Sequence, residues 1–216
     1  PEGTVGMGHT RWATHGAPTD HNAHPHLDCT GKVAVIHNGI IENFAALRAE
    51  LTERGHTLAS DTDTEVVAHL LEEELRVTPA LAEAMRRVCR RLEGAFTLVA
   101  VNADDPDVVV GARRNSPLGV GVGQGENFLA SDVAAFIAHT RDAIELGQDQ
   151  VVELRREGVT VTDFDGKPAE VREYHVDWDV TAAEKGGYEY FMLKEIAEQP
   201  RAVANTLLGR IGPDGR

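Results

Sequence analysis

The sequence predicts an α+β layered fold, and three observations predict it. A continuous apolar run, Val33-Ala34-Val35-Ile36, reads as a buried strand near the start of the chain. Helical periodicity then runs from Ile41 to Leu92, and after Gly94 the pattern changes to short β-rich segments. Strands, a block of helices and a second run of strands are satisfied by sheets covered with helices.

The elements follow in order. The first strand ends at Asn38-Gly39, read as a turn. Ile41, Phe44, Ala45, Leu47, Arg48 and Leu51 fit an amphipathic helix stopped by Gly55. Ser60-Asp61-Thr62-Asp63-Thr64-Glu65 leads into a second helix, Val66 to Leu75, and Thr62 and Glu65 have capping-box spacing. Thr78-Pro79 opens a third helix, with proline at the tolerated first position, running to Leu92. Strands are expected over 95–101, 108–112, 118–122 and 128–131. Val151–Arg155 and Val159–Thr162 form a hairpin around Glu157-Gly158. Glu184-Lys185-Gly186-Gly187-Tyr188 reads as a loop, and Phe191 to Leu208 as a helix interrupted by Pro200. A domain boundary is placed near residue 190.

Composition narrows the function. With 216 residues and 42% hydrophobic content the chain can bury a core. Its net charge of −14, from 35 acidic against 21 basic residues, disfavours a nucleic-acid partner. The basic cluster Arg86, Arg87, Arg90 and Arg91 reads as a solvated helix face paired with acids. No apolar run has the length of a membrane span, and the two cysteines make no disulfide framework. A soluble protein of a reducing, cytoplasmic compartment is expected. Pro1 is no initiator methionine and Ile211–Arg216 stops in turn residues, so the chain reads as the inside of a longer polypeptide.

The chemistry concentrates in His9-Thr10-Arg11-Trp12-Ala13-Thr14-His15-Gly16, Asn22-Ala23-His24-Pro25-His26 and Val35-Ile36-His37-Asn38-Gly39. Arginine grips a carboxylate through two parallel hydrogen bonds. An asparagine amide beside a glycine N–H can offer two donors to a developing oxyanion. Together they suggest attack on the acyl group of a small amino acid. Residue patterns alone leave other readings open: Asn38-Gly39 as a plain turn, and Asp63 as a helix cap. His9, His15, His21, His24, His26 and His37 could suggest zinc, but their spacings match no helix-borne pair and cysteine partners are missing, so no metal or other cofactor is expected. No nucleophile stands out either. Cys89 falls on the apolar side of a helix, Cys29 lies in a turn beside the Asp28 carboxylate, and no Gly-x-Ser-x-Gly elbow occurs.

These motifs occur in order with Asp61-Thr62-Asp63-Thr64-Glu65, Gly125-Glu126-Asn127-Phe128-Leu129-Ala130-Ser131-Asp132 and the segment from Lys185 to Pro200. Over nearly its whole length the chain closely resembles the glutaminase half of the glutamine–fructose-6-phosphate amidotransferase family. The resemblance implies an N-terminal-nucleophile fold, a four-layer αββα sandwich, here truncated at its N-terminus. It implies residues 1–190 as the glutaminase domain and 191–216 as a linker with the first helix of a sugar-isomerising domain. It further implies that Arg11 holds the glutamine α-carboxylate with support from Thr14 and His15. Asp63 would pair with the α-ammonium, Asn38 and Gly39 would form the oxyanion hole, and Trp12 would lie on the loop that gates ammonia. His24 and His37 fall inside the motifs without an assigned role. The family nucleophile is an N-terminal cysteine; neither Cys29 nor Cys89 carries a free α-amino group, so this stretch alone is expected to be inactive. Glutamine, fructose 6-phosphate bound by the missing domain and homodimerisation through that domain follow from the same resemblance. The alternative is a non-catalytic module that binds an amino acid or a metal.

Overall fold

A computed structural model describes residues 3–177 and 186–207. The chain divides into two compact units, Pro1–Val176 and Asp177–Arg216.

The first unit carries ten strands and three helices among the described residues. One antiparallel sheet contains, in spatial order, β1 (His26–Leu27), β2 (Val33–Ile41), β3 (Gly94–Asn102), β4 (Asp105–Arg114), β8 (Gln150–Arg155) and β9 (Gly158–Asp163). The second, also antiparallel, runs β10 (Arg172–His175), β7 (Asp142–Glu145), β5 (Gly119–Val122), β6 (Asn127–Ala130). The helices are α1 (Phe44–Glu53), α2 (Glu65–Leu75) and α3 (Leu81–Cys89).

The period of two along the strands builds the layers. Phe96, Leu98 and Ala100 of β3, with Val110 and Ala112 of β4, join Leu51, Val67, Leu71, Met85 and Val88 in a core between the first sheet and the helices. The opposite parity, Val99, Val109, Val152 and Leu154, meets Leu118, Val120, Leu129 and Ile144 in a second core between the two sheets. Helices, sheet and sheet are thus three layers of the expected four. On the outer face of the second sheet, Phe136 stacks on Phe128 with ring centroids 6.3 Å apart, just after the short 3-10 turn Val133–Ala135. Gly121 makes this approach possible, because a Cβ there would stand 2.6 Å from the Phe136 ring.

Several boundaries differ from expectation. β2 runs on to Ile41, so Asn38-Gly39 lie within a strand, opposite Thr97 and Phe96, and are not a turn. Ile41 is fully buried in that strand and does not belong to α1. Gly39 adopts φ +126°, and a Cβ on it would lie 2.1 Å from the Ala95 carbonyl oxygen. Only glycine fits a strand that bends this close to its neighbour.

The capping box is rearranged. Thr64 is the residue before α2, and Glu65 reaches back past Thr62 to accept from the Ala59 and Ser60 N–H groups at 2.6 Å each. Thr62 Oγ1 instead meets His26 Nε2 at 3.0 Å. α3 begins at Leu81, two residues after Pro79. Arg86 and Arg87 pair with Glu83, but Arg86 also bonds Thr162 at 3.1 Å, so this is not a simple solvated face. β1, β7 and β10 were not anticipated; Arg-Glu-Tyr-His of β10 carries no aliphatic residue to announce a strand. The hairpin turn is Arg156-Glu157, with Gly158 already in β9.

In the second unit, α4 (Phe191–Leu207) continues through Pro200 without interruption. Glu184, Lys185 and Leu208 lie outside the described residues. Among the described residues no helix is long and apolar enough to cross a membrane.

Packing at Gly121 yields a prediction. Gly121→Ala should cost about 1–3 kcal/mol of unfolding free energy, because the Phe136 ring must shift. Combining it with Phe136→Leu should give a loss smaller than the sum of the single losses. Chemical denaturation of the four proteins measures this; additive losses would contradict the contact.

Candidate functional site

The predicted residues gather where β2 passes the start of α2. Strand parity turns His37 inward with Val35, so its side chain is only 2% exposed, while Asn38 faces outward. The Asp63 side chain, 4% exposed, lies just ahead of α2. Its Oδ2 accepts from the Ile41 backbone N–H at 2.8 Å and stands 3.9 Å from both His15 Nδ1 and His37 Nδ1. Asp63 is thus a bridge from the helix approach to the strand. No side chain caps α2, which sets the capping reading aside.

Thr64 Oγ1 joins two histidines, His37 Nδ1 at 3.0 Å and His24 Nε2 at 3.1 Å. His24 in turn lies 4.1 Å from the His9 ring and 4.8 Å from His26, centroid to centroid. Burial pushes His37 down to about 4, against an opposing pull from Asp63. Burial likewise pushes His24 down to about 3, helped by His9, His26 and His37. Near neutral pH both rings carry no charge, so they leave the Asp63 charge uncompensated.

His9 Nε2 donates to Asn38 Oδ1 at 2.8 Å. With its oxygen held, the Asn38 amide is oriented and its NH2 remains the available donor. In the sequence the one signal of this role for His9 is its place two residues before Arg11.

Arg11 differs from its expected geometry. Its guanidinium donates to the carbonyls of Ala17 at 2.9 Å and Gly16 at 3.0 Å, and also to that of His15. It therefore holds its own loop together, using three hydrogen bonds of a group with five N–H donors. Gly16 at φ +76° and Asn22 complete this loop: Asn22 donates to Ala17 O at 3.1 Å and accepts from Asp61 N–H at 2.9 Å. Asn22 was another residue without an assigned role. His15 packs edge-on against Phe44 at 4.9 Å. Thr14 is exposed, and Trp12 is 86% exposed.

Among the described residues, His9 Nδ1, His15 Nδ1, His24 Nδ1 and His37 Nε2 are buried without a hydrogen-bond partner. Buried polar atoms are ordinarily satisfied, so four orphans in one cluster mark a place suited to receive polar groups. A cavity of about 720 Å3 lies elsewhere, beside β5, β7 and the β8–β9 turn, and holds none of these residues. Neither thiol joins the cluster. Cys89 is fully buried in the helix-side core, where burial pushes its thiol far above the ordinary range. Cys29 sits against His56 and His69.

The chain is similar to known proteins over most of its length. The family model described as a glutamine amidotransferase domain matches residues 9–138. A glutamine–fructose-6-phosphate aminotransferase (isomerizing) of Streptomyces coelicolor is 78% identical over 100% of this chain and 35% of its own length. The namesake proteins of Leifsonia xyli and Mycobacterium tuberculosis are 64% and 60% identical, over 97% and 96% of this chain and 34% of their own lengths. The chain thus spans about a third of these relatives. Among solved structures, a glutamine phosphoribosylpyrophosphate amidotransferase from B. subtilis superposes with a TM-score of 0.60. That match has 23% identity and covers 72% of this chain and 34% of the other. An allosteric regulatory enzyme of purine biosynthesis gives 0.55 at 22% identity, covering 67% and 31%. These two likenesses concern the fold alone, a mixed α+β architecture with antiparallel sheets. With the family model covering more than half of its residues, the chain belongs to the glutamine amidotransferase domain family.

Proposed function

We propose that this chain is the glutamine-hydrolysing part of an enzyme that delivers ammonia to fructose 6-phosphate. The observation that carries the reading is the short stretch Asn38–Ile41. At one end an exposed amide is oriented by His9, and at the other the backbone holds a buried carboxylate, Asp63. The namesakes at 60–78% identity support the choice of glutamine and of the sugar acceptor. A cytoplasmic setting, a homodimer formed outside this chain, and residues 191–216 as the start of the sugar-converting part belong to the same proposal.

Glutamine presents an α-carboxylate, an α-ammonium and a side-chain amide. Arg11 retains Nε–H and one Nη1–H beyond those that tie its loop; these lie on different edges of the guanidinium, so a bidentate grip on the carboxylate would require Nη2 to release a loop carbonyl. Thr14 and His15 belong to the same loop and would shape its rim. Asp63 would take the ammonium; His24 and His37, neutral at this pH, add no competing positive charge. The Asn38 NH2 and the Gly39 N–H would meet the amide oxygen as it gains charge under attack by a thiolate. That thiol is the N-terminal cysteine implied by the resemblance, since the two thiols of this chain are otherwise engaged. Exposed Trp12 would fold over the bound amino acid and gate the ammonia released.

Two predictions test these roles in the full-length enzyme. Asn38→Ala should lower kcat for glutamine hydrolysis by about a hundredfold or more with little change in KM, because the oxyanion exists only in the transition state. Arg11→Ala should instead raise the KM for glutamine by about 2–4 kcal/mol in binding. Steady-state kinetics with melting curves on both variants decide the matter. If both parameters and the melting temperature degrade together, the roles are structural only.

A third prediction concerns acid. A buried neutral histidine binds fewer protons folded than unfolded, so stability is full above the ordinary value of 6.5 and is lost on acidification toward about 4 for His37 and about 3 for His24. His37→Asn, which can still meet Thr64, should flatten the fall of melting temperature between pH 6.5 and pH 4. An unchanged slope would show that His37 does not carry this pH dependence.

A further inference from the structure

A second cluster stands apart from the residues above. The turn before β2 brings Cys29, the segment after α1 brings His56, and one face of α2 brings His69 and Glu72, spaced three apart. Their ligand atoms all lie within 4.8 Å of one another. His56 Nδ1 and His69 Nδ1 are 3.2 Å apart, and Cys29 Sγ is 3.5 Å from the first and 3.4 Å from the second. Glu72 Oε2 is 3.4 Å from His56 Nδ1 and 3.7 Å from His69 Nδ1. Zinc bonds of about 2.0–2.3 Å in a tetrahedron separate their ligand atoms by about 3.3–3.7 Å. The cluster has the size of that shell.

The surroundings orient the donors. His56 Nε2 faces Glu73 Oε1 at 3.3 Å, and His69 Nε2 faces Glu65 Oε1 at 3.6 Å. The Glu73 carboxylate places the His56 ring hydrogen on Nε2 and turns its Nδ1 lone pair inward, the arrangement found around metal-bound histidine, whereas His69 Nε2 is buried without a hydrogen-bond partner. The two Nδ1 atoms face each other at 3.2 Å with a carboxylate oxygen beside them. The Cys29 backbone N–H donates to Glu72 Oε2 at 3.1 Å, so the thiol, the two imidazole nitrogens and the carboxylate oxygen are crowded around one point. A dication satisfies all four. Its charge is matched by one thiolate and one carboxylate, and Arg76 balances Glu72 from outside at 2.5 Å.

We propose that Cys29, His56, His69 and Glu72 form a structural zinc site. The soft thiolate with two imidazoles selects zinc over magnesium or calcium, and four protein ligands leave no open position for catalysis. Cys29 and His69 also line a cavity of about 520 Å3, which gives an ion a way in. The expectation of no metal rested on a different set of histidines; the pair His69-x-x-Glu72 on a helix face was the sequence signal that went unused. Bound zinc would pin the turn before β2 and the α1–α2 connection to α2, directly behind the Glu65 contacts that shape the approach to Asp63.

The test uses the full-length protein, purified without chelator and analysed by plasma mass spectrometry, and then stripped and titrated with Co2+. The proposal expects about one zinc per chain and, with cobalt, a strong near-ultraviolet thiolate-to-metal charge-transfer band. Cys29→Ala should abolish that band, and both it and His69→Ala should lower zinc affinity at least tenfold. Zinc added to the stripped wild type should raise its melting temperature. Should either variant fail to fold, the wild-type cobalt spectrum and zinc-dependent melting still decide. Wild type without zinc, without the band and without a melting shift overturns the site, as does a band that survives Cys29→Ala.

Discussion

The hydrogen bond from the Ile41 backbone to Asp63 is the constraint on which the candidate site depends. It joins the last residue of β2 to the loop that leads into α2, two elements also held by nonpolar packing, the Thr64 bridge and the His37–Asp63 contact. β2 is in turn clamped along nine register pairs to β3, so the strand has no freedom to slide. A shift of one residue would send His37 outward and Asn38 into the core. The register thus decides which residue becomes a buried neutral imidazole and which an exposed amide.

Electrostatics reinforce the geometry. A buried carboxylate normally needs a partner, and Asp63 has a backbone N–H together with two imidazoles at 3.9 Å. Had His37 been cationic, it would have cancelled the charge that a substrate ammonium requires. Burial among apolar neighbours and three other histidines prevents this. The same crowding leaves ring nitrogens unpartnered, so the cluster sacrifices some stability to stay receptive. Cooperation between His9 and Asn38 follows the same logic: a side chain outside the reacting set orients one inside it.

Much of the fold was legible in the sequence. Helical periodicity located α1, α2 and α3 to within three residues, and the Val-rich runs located most strands. The failures share a cause, which is that long-range partners override local signals. Asn38-Gly39 has the composition of a turn, yet pairing with Thr97 and Phe96 extends the strand through it. Thr62 and Glu65 have capping spacing, but His26 captures the threonine and Ser60 the glutamate. β10 is a polar strand that exists because β7 pairs with it. At the site, the resemblance named residues but not their contacts. It could not reveal that Arg11 is bound to its own loop, that His9 holds Asn38, or that Cys29 has two imidazoles for company.

The central claim is that Asp63 has two separable duties, a hydrogen bond to the strand and a charge for the substrate ammonium. Asp63→Asn in the full-length enzyme separates them, because an amide oxygen can still accept from Ile41 while the charge is gone. The account predicts a melting temperature close to wild type and a KM for glutamine raised by about 10- to 100-fold, the range expected for a lost charge-assisted bond. A collapsed melting temperature with an unchanged KM would contradict it, leaving Asp63 as a purely structural bridge.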